Sequence, residues 1–207
     1  NQYVSGNLGV GTTSPYAKLS VAGNGLFDGA VTASSFNATS STGYLLNGVT
    51  LATGSTTKNN YFFGAAAINS SVTSGFFNNI AIGLASLQYA TSGGDNIAIG
   101  SSALRGMNAG SGNTGSDNTA LGFGTLLLNK SGSYNNAFGY QASANWNTTG
   151  SYNNAIGYQS LFNATGSSLN GIGWSTLANT TGASSTALGS WAGQTNTTGN
   201  NNLYLGD

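Results

Sequence analysis

The chain has no cysteine, no histidine and no glutamate, and its single proline is Pro15. Without cysteine there can be no disulfide framework. Without histidine, cysteine or glutamate, the side chains that most often act as general acids, bases or nucleophiles are missing, and only Asp28, Asp95, Asp117 and Asp207 remain. Charged residues make up 4% of the sequence, against about 25% in ordinary globular domains. Lys18, Lys58, Arg105 and Lys130 balance the four aspartates to a net charge of zero. Four scattered cations give no electrostatic footprint for nucleic acid or an anionic membrane. No apolar run approaches the roughly 18 residues of a membrane-spanning helix. The composition therefore argues against an enzyme, a cofactor, a nucleic-acid partner and membrane insertion.

What is present is glycine, 33 residues in 207, with much Asn, Ser and Thr. Low charge with this composition could signal disorder, but disordered chains are poor in aromatic residues, and here they reach 11%. The apolar residues also fall at fixed places. The stretch Asn153-Asn154-Ala155-Ile156-Gly157 has near-copies ending at Gly83, Gly100, Gly122, Gly139, Gly173, Gly189 and Gly206, with a degenerate first copy at Gly64. Successive glycine marks are separated by 19, 17, 22, 17, 18, 16, 16 and 17 residues. A sustained period near 17 signals a repeat architecture.

Register fixes the chemistry of each repeat. One residue before the glycine is always large and apolar (Phe63 through Leu205), two before is mostly Ala, and four before is mostly Asn. Three after is small, and four after is usually Leu or Ile. Turn segments such as Asn147-Thr148-Thr149-Gly150 close the repeat. The pattern predicts an all-β parallel β-solenoid. One strand of about five residues points its last apolar side chain inward, glycine turns the corner, and a second short strand carries an inward Leu. The recurrent Asn predicts side-chain amides stacked from coil to coil. A two-helix repeat needs about 34 residues, and 17 rich in Gly and Asn are too few. A thin coil cannot bury its own apolar faces, so stacking is obligatory and a second buried face through homotrimerisation is expected.

Residues 1–58 lack the repeat and read as a β connector or neck, with residues 59–207 as the solenoid domain. Leu8–Pro15 reads as a short strand entering a Gly/Pro turn, Ala17–Gly23 and 30–36 are expected strands, 43–49 ends in a turn, and Ser55–Lys58 is the seam. The chain begins at Asn1 with neither Met nor a charged leader and stops at Asp207, just after the ninth mark. It is expected to be a mature or excised piece of a longer protein.

The run Asn7-Leu8-Gly9-Val10-Gly11-Thr12-Thr13-Ser14-Pro15 followed by Ala17–Gly23 resembles a motif of bacteriophage tail-fibre shafts and large bacterial surface proteins. The Asn-Asn-Ala-Ile-Gly repeat resembles the head repeats of trimeric autotransporter adhesins, although those are shorter, near 14 residues. This resemblance covers 59–207 and implies a left-handed β-roll, a homotrimer and an extracellular structural or adhesive role on a cell surface or virion. Two further readings stand beside it: a subunit polymerising end to end through its N-terminal strands, and a carbohydrate-active β-helix protein.

Candidate sites follow from register. Phe123, Tyr140, Tyr158 and Trp174 directly follow the glycine on four successive coils and should stack as an aromatic ladder. Such a ladder serves coil packing or a trimer interface, or else a platform for a cell-surface glycan; the structural role weighs more. Tyr134 and Tyr152 form a smaller pair by the same logic. Asp95 and Asp117 share one position on successive coils. They cap turns in place of Asn, or form a weak cation site. Among seven Asn-X-Ser/Thr sequons, Asn147, Asn163, Asn179 and Asn196 lie in inter-coil turns and are the glycosylation candidates. Thr-Thr pairs resemble ice-binding arrays but fall in turns.

Overall fold

The computed structural model describes residues 6–15, 17–22, 44–46, 49–55, 59–68, 75–106, 113–144 and 149–206. The chain divides into two units, residues 1–37 and 38–207. The expected strand at 30–36 lies outside the described residues.

In the first unit, β1 (Leu8–Val10) and β2 (Leu19–Val21) pair in parallel, Leu8 against Leu19 and Val10 against Val21. Between them the chain reverses at Gly11, whose φ is 71°. Alternation puts Ser20 inside and all four apolar strand ends on the exposed side.

The second unit opens with β3 (Tyr44–Leu46) and β4 (Val49–Ser55), paired antiparallel to each other. The repeats follow as β5 (Asn60–Phe63), β6 (Ile80–Ile82), β7 (Ile97–Ile99), β8 (Thr119–Leu121), β9 (Asn136–Phe138), β10 (Asn154–Ile156), β11 (Asn170–Ile172), β12 (Thr186–Leu188) and β13 (Leu203–Leu205). Each pairs in parallel with the next, in chain order and at constant register: Ala81 sits against Ala98, Ala98 against Ala120, Ala120 against Ala137 and Ala137 against Ala155. This is a parallel β-solenoid with coils of about 17 residues. β4 runs antiparallel to β5, Gly54 opposite Tyr61, and so occupies the edge of the first coil. Residues 44–55, read from sequence as part of the connector, thus join the solenoid sheet.

The strands are only three or four residues long, and they turn the expected side chain outward. With period two, the residue two before the glycine faces one way and its neighbours face the other. The inward residue is Ala, at 81, 98, 120, 137, 155 and 187, and all six are fully buried. The large residue just before the glycine, assigned inward from sequence, is exposed or half-exposed in every repeat. The reason is space. In five coils the interior is filled by the Leu four after the glycine, and Leu87, Leu104, Leu126, Leu161 and Leu177 are fully buried. Even a methyl is too much at Gly171, where a Cβ would lie 2.6 Å from both Ser160 Oγ and Thr176 Oγ1.

The inward Leu does not sit on a second strand, as the sequence reading has it. It sits in a turn, with φ near +50° at Leu87, Leu104, Leu126 and Leu161. The residue two after the glycine is also left-handed, as at Ala85, Ser102, Gln141 and Gln159. Left-handed Leu is unfavourable alone; here burial of its side chain and bonding between coils hold it. The Leu104 N–H donates to Thr125 O (2.9 Å), and the Ser102 N–H donates to Leu84 O (2.8 Å).

Two further devices tie coil to coil. The corner glycines from Gly64 to Gly189 adopt φ from 119° at Gly189 to 134° at Gly64 and Gly173, and a Cβ at any of them would run into the backbone of the next corner glycine. The second is the expected asparagine ladder. The Asn79 N–H donates to Asn60 Oδ1 (2.9 Å), the Asn96 N–H to Asn79 Oδ1 (3.0 Å), and the pattern continues through Asn118, Asn135 and Asn153. Each Nδ2 also donates to a carbonyl in the turn of the following coil, Asn118 to Gly132 O and Asn135 to Gly150 O, both 2.9 Å. All of these amides are buried and satisfied, which is what burial of a polar side chain requires. The ladder stops at Leu169, whose N–H donates to Asn153 Oδ1 but whose side chain cannot accept.

Candidate functional site

The solenoid presents its chemistry on its outer surfaces. The sheet's outer face carries two columns. One is the residue before each corner glycine: Ile82 is 43% exposed, Ile156 42% and Leu188 50%. The other, two residues earlier, changes character along the stack. It is apolar at Tyr61, Ile80 and Ile97, becomes Thr119, Asn136, Asn154, Asn170 and Thr186, and is apolar again at Leu203. Its polar stretch is bonded along the column. Asn136 Nδ2 donates to Asn154 Oδ1 (3.0 Å), and Asn154 Nδ2 to Asn170 Oδ1 (2.7 Å). The sequence reading missed this face because it placed the first column in the core.

Round the corner stands the aromatic ladder. Phe123 and Tyr140 stack at 5.3 Å with their planes 10° apart, and Tyr140 and Tyr158 at 5.3 Å and 7°. Trp174 breaks the pattern, meeting Tyr158 edge-on at 5.9 Å and 82°. Trp191 extends the column, 5.1 Å from Trp174. It lies two residues after its glycine, and in the left-handed conformation (φ 61°) it reaches back over the previous ring. A search confined to the position directly after glycine could not find it. Stacked rings at this distance turn their faces to one another and their edges to solvent. The right-angle step between Tyr158 and Trp174 opens a cleft of about 370 Å³.

Tyr134 and Tyr152 stack at 5.0 Å and 5°. They share a register position with Asp95 and Asp117, five before the glycine. That position is left-handed in all nine repeats, φ 59° at Asp95 and 58° at Asp117. Asn and Asp tolerate this region better than other side chains, which accounts for Asn59, Asn78 and Asn201 at the same place. The Asp95 carboxylate accepts from Asn78 Nδ2 (2.9 Å), and Asn78 Oδ1 accepts from Asn59 Nδ2 (3.2 Å). Among the described residues no group of three potential metal ligands occurs.

Of the sequons, Asn179 is exposed, and its Oδ1 accepts from Asn163 Nδ2 (3.0 Å). Asn196 is occupied with its own turn, Nδ2 to Gly199 O (3.1 Å) and Gly199 N–H to Oδ1 (2.8 Å). Asn129 makes the same closed pair with Gly132 and is fully buried. Asn147 lies outside the described residues. Compared with protein-family models, curated proteins and solved structures, the chain matches none of them.

Proposed function

We propose that this chain is a segment of an extracellular fibre, a structural and adhesive appendage of a cell surface or virion, in which copies of the chain associate laterally as a homo-oligomer. The observation that carries the reading is the coil-to-coil bonding of residues 59–206. Every described coil is tied to the next by strand pairing and by left-handed turns, and most also by an internal amide ladder. This network stiffens a stack along its axis. The low charge supports the same use, because a scaffold without many ion pairs is indifferent to salt. The resemblance to tail-fibre shafts and autotransporter heads implies three copies, whereas a single flat face joined to the same face of a copy closes a pair. A subunit polymerising through its N-terminal strands is the less favoured reading, since β3 and β4 already pair with each other and with β5 of their own chain, although β13 keeps an open edge at the last coil.

A second role rests on one observation. At the Tyr158–Trp174 cleft the rings meet at a right angle, and the open face there suits one apolar face of a sugar ring on a surface glycan. Within this reading Phe123 and Tyr140 support the cleft without touching the sugar. Weakened retention on a glycan surface by Trp174→Ala, with Phe123→Ala unchanged, is the expected result; equal binding by both variants removes the role.

The principal reading is tested by gold-labelled antibody against residues 59–207 on intact cells or particles of the source. Label on projecting appendages is expected. Label confined to the interior of permeabilised cells overturns it.

A further inference from the structure

The outer face of the sheet is far too apolar to be left in water. Nine large apolar side chains, Phe63 to Leu205, recur once per strand along it. Taking roughly 80 Å² of open surface each, about half the area of such a side chain, the column offers on the order of 700 Å². Tyr61, Ile97 and Leu203 beside it bring the face to about 900 Å², above the few hundred Å² of a tolerated patch and near the 800 Å² that each partner gives to a standard interface.

We infer that this face binds the same face of a second copy of the chain, with the two solenoids parallel and in coil register. The inference rests on the fibre reading and adds to it the face, the direction and the register. Two observations select this occupant. The column repeats at the strand spacing of about 4.8 Å over the whole stack, and another copy of the solenoid carries the matching repeat by construction. The neighbouring column then selects the direction. Its apolar zone lies at Tyr61, Ile80 and Ile97, and its bonded polar zone at Asn136, Asn154 and Asn170. In a parallel, in-register pair, apolar meets apolar, and the amides meet amides already satisfied along their own column. In an antiparallel pair Ile80 faces Thr186 and Ile97 faces Asn170, which desolvates polar groups against hydrocarbon.

The absence of native cysteine makes the test direct. Ile82→Cys and Leu188→Cys are made separately in the full chain, purified, mildly oxidised and run without reductant. Each should form a covalent dimer with itself, of about twice the 20.7 kDa chain mass. When the two are co-expressed, no Ile82→Cys to Leu188→Cys product should form. Tyr134→Cys, at a left-handed corner off this face, should stay uncrosslinked. Ile156→Lys should shift the native mass toward that of one chain. A mixed Ile82→Cys to Leu188→Cys product without self-dimers would establish the antiparallel pair and overturn the inference. So would an oligomer that crosslinks only through the ladder, at Tyr158→Cys. A monomeric native mass with no crosslink at any position would overturn it as well, and would leave the surface location of the chain to the antibody test.

Discussion

Replacing Gly157 by alanine strains one coil junction in two separable ways. Gly157 has φ +129°, a region that residues with a Cβ enter at a cost of about 1–3 kcal/mol. A Cβ built there would also lie 2.2 Å from Gly173 O and 2.8 Å from Gly173 C. Relieving that overlap means parting the coils by about 1 Å, at the expense of neighbouring bonds such as Gly173 N–H to Ile156 O (2.8 Å) and Ser175 N–H to Tyr158 O (2.9 Å); overpacking of this kind costs roughly 1–3 kcal/mol. The two together come to about 2–6 kcal/mol. For a chain of this size that lowers the melting temperature by on the order of 10 °C. Two controls divide the effect. Gly206→Ala has φ +93° and nothing within 4 Å, so only the backbone cost of about 1–2 kcal/mol applies. Gly75→Ala has no left-handed φ, and its nearest neighbour is Ser92 Cβ at 3.7 Å, so it should be neutral or gain about 0.5 kcal/mol through the unfolded chain. Guanidinium unfolding followed by circular dichroism ranks the three. A Gly157→Ala loss below about 1 kcal/mol, or equal to that of Gly75→Ala, would refute the account of the corner.

Asn118→Ala removes the acceptor of the buried Asn135 N–H, while Gly132 O keeps its bond from Asn129 Nδ2; leaving one buried donor unpaired should cost about 1–3 kcal/mol in chemical denaturation. Leu161→Ala truncates a fully buried leucine, and the same measurement should show a loss of about 2–5 kcal/mol. With no histidine or cysteine in the chain, no side chain of the kind that ordinarily titrates between about pH 5 and 8 is present, so melting temperatures across that range should superimpose; a change of several degrees would point to a titrating group the account lacks.

The parts of this fold that could be read from sequence each rest on one residue type at one register position. The 17-residue period shows in the glycines, the buried amide ladder in Asn79, Asn96, Asn118 and Asn135, and the ring stack in Phe123, Tyr140 and Tyr158. A single chemical requirement repeated eight times leaves little room for misreading. Which side of each strand faces inward was not legible by hydrophobicity, because Ala155 and Ile156 are both apolar and the larger one looks like core. Variation between repeats held the better signal. The residue two before glycine is almost always Ala, as a confined space demands, whereas the residue before glycine wanders among Phe, Ile and Leu, as open surface allows. The turn carrying Leu161 was read as a strand because Leu rarely adopts positive φ on its own; the coil above and the cavity it fills impose that conformation. Trp191 was missed because its side chain reaches the ladder from a neighbouring register position, by a backbone rotation that spacing alone does not reveal.

The central claim is that this chain is a solenoid of fixed length that packs side by side with copies of itself. Electron microscopy of the purified chain measures that directly. Nine parallel strands at about 4.8 Å predict discrete particles with a solenoid axis on the order of 40 Å, containing two parallel solenoids joined along their flat faces. Long filaments of variable length would contradict the fixed end formed by β4, and isolated single solenoids would contradict the apolar face as an interface.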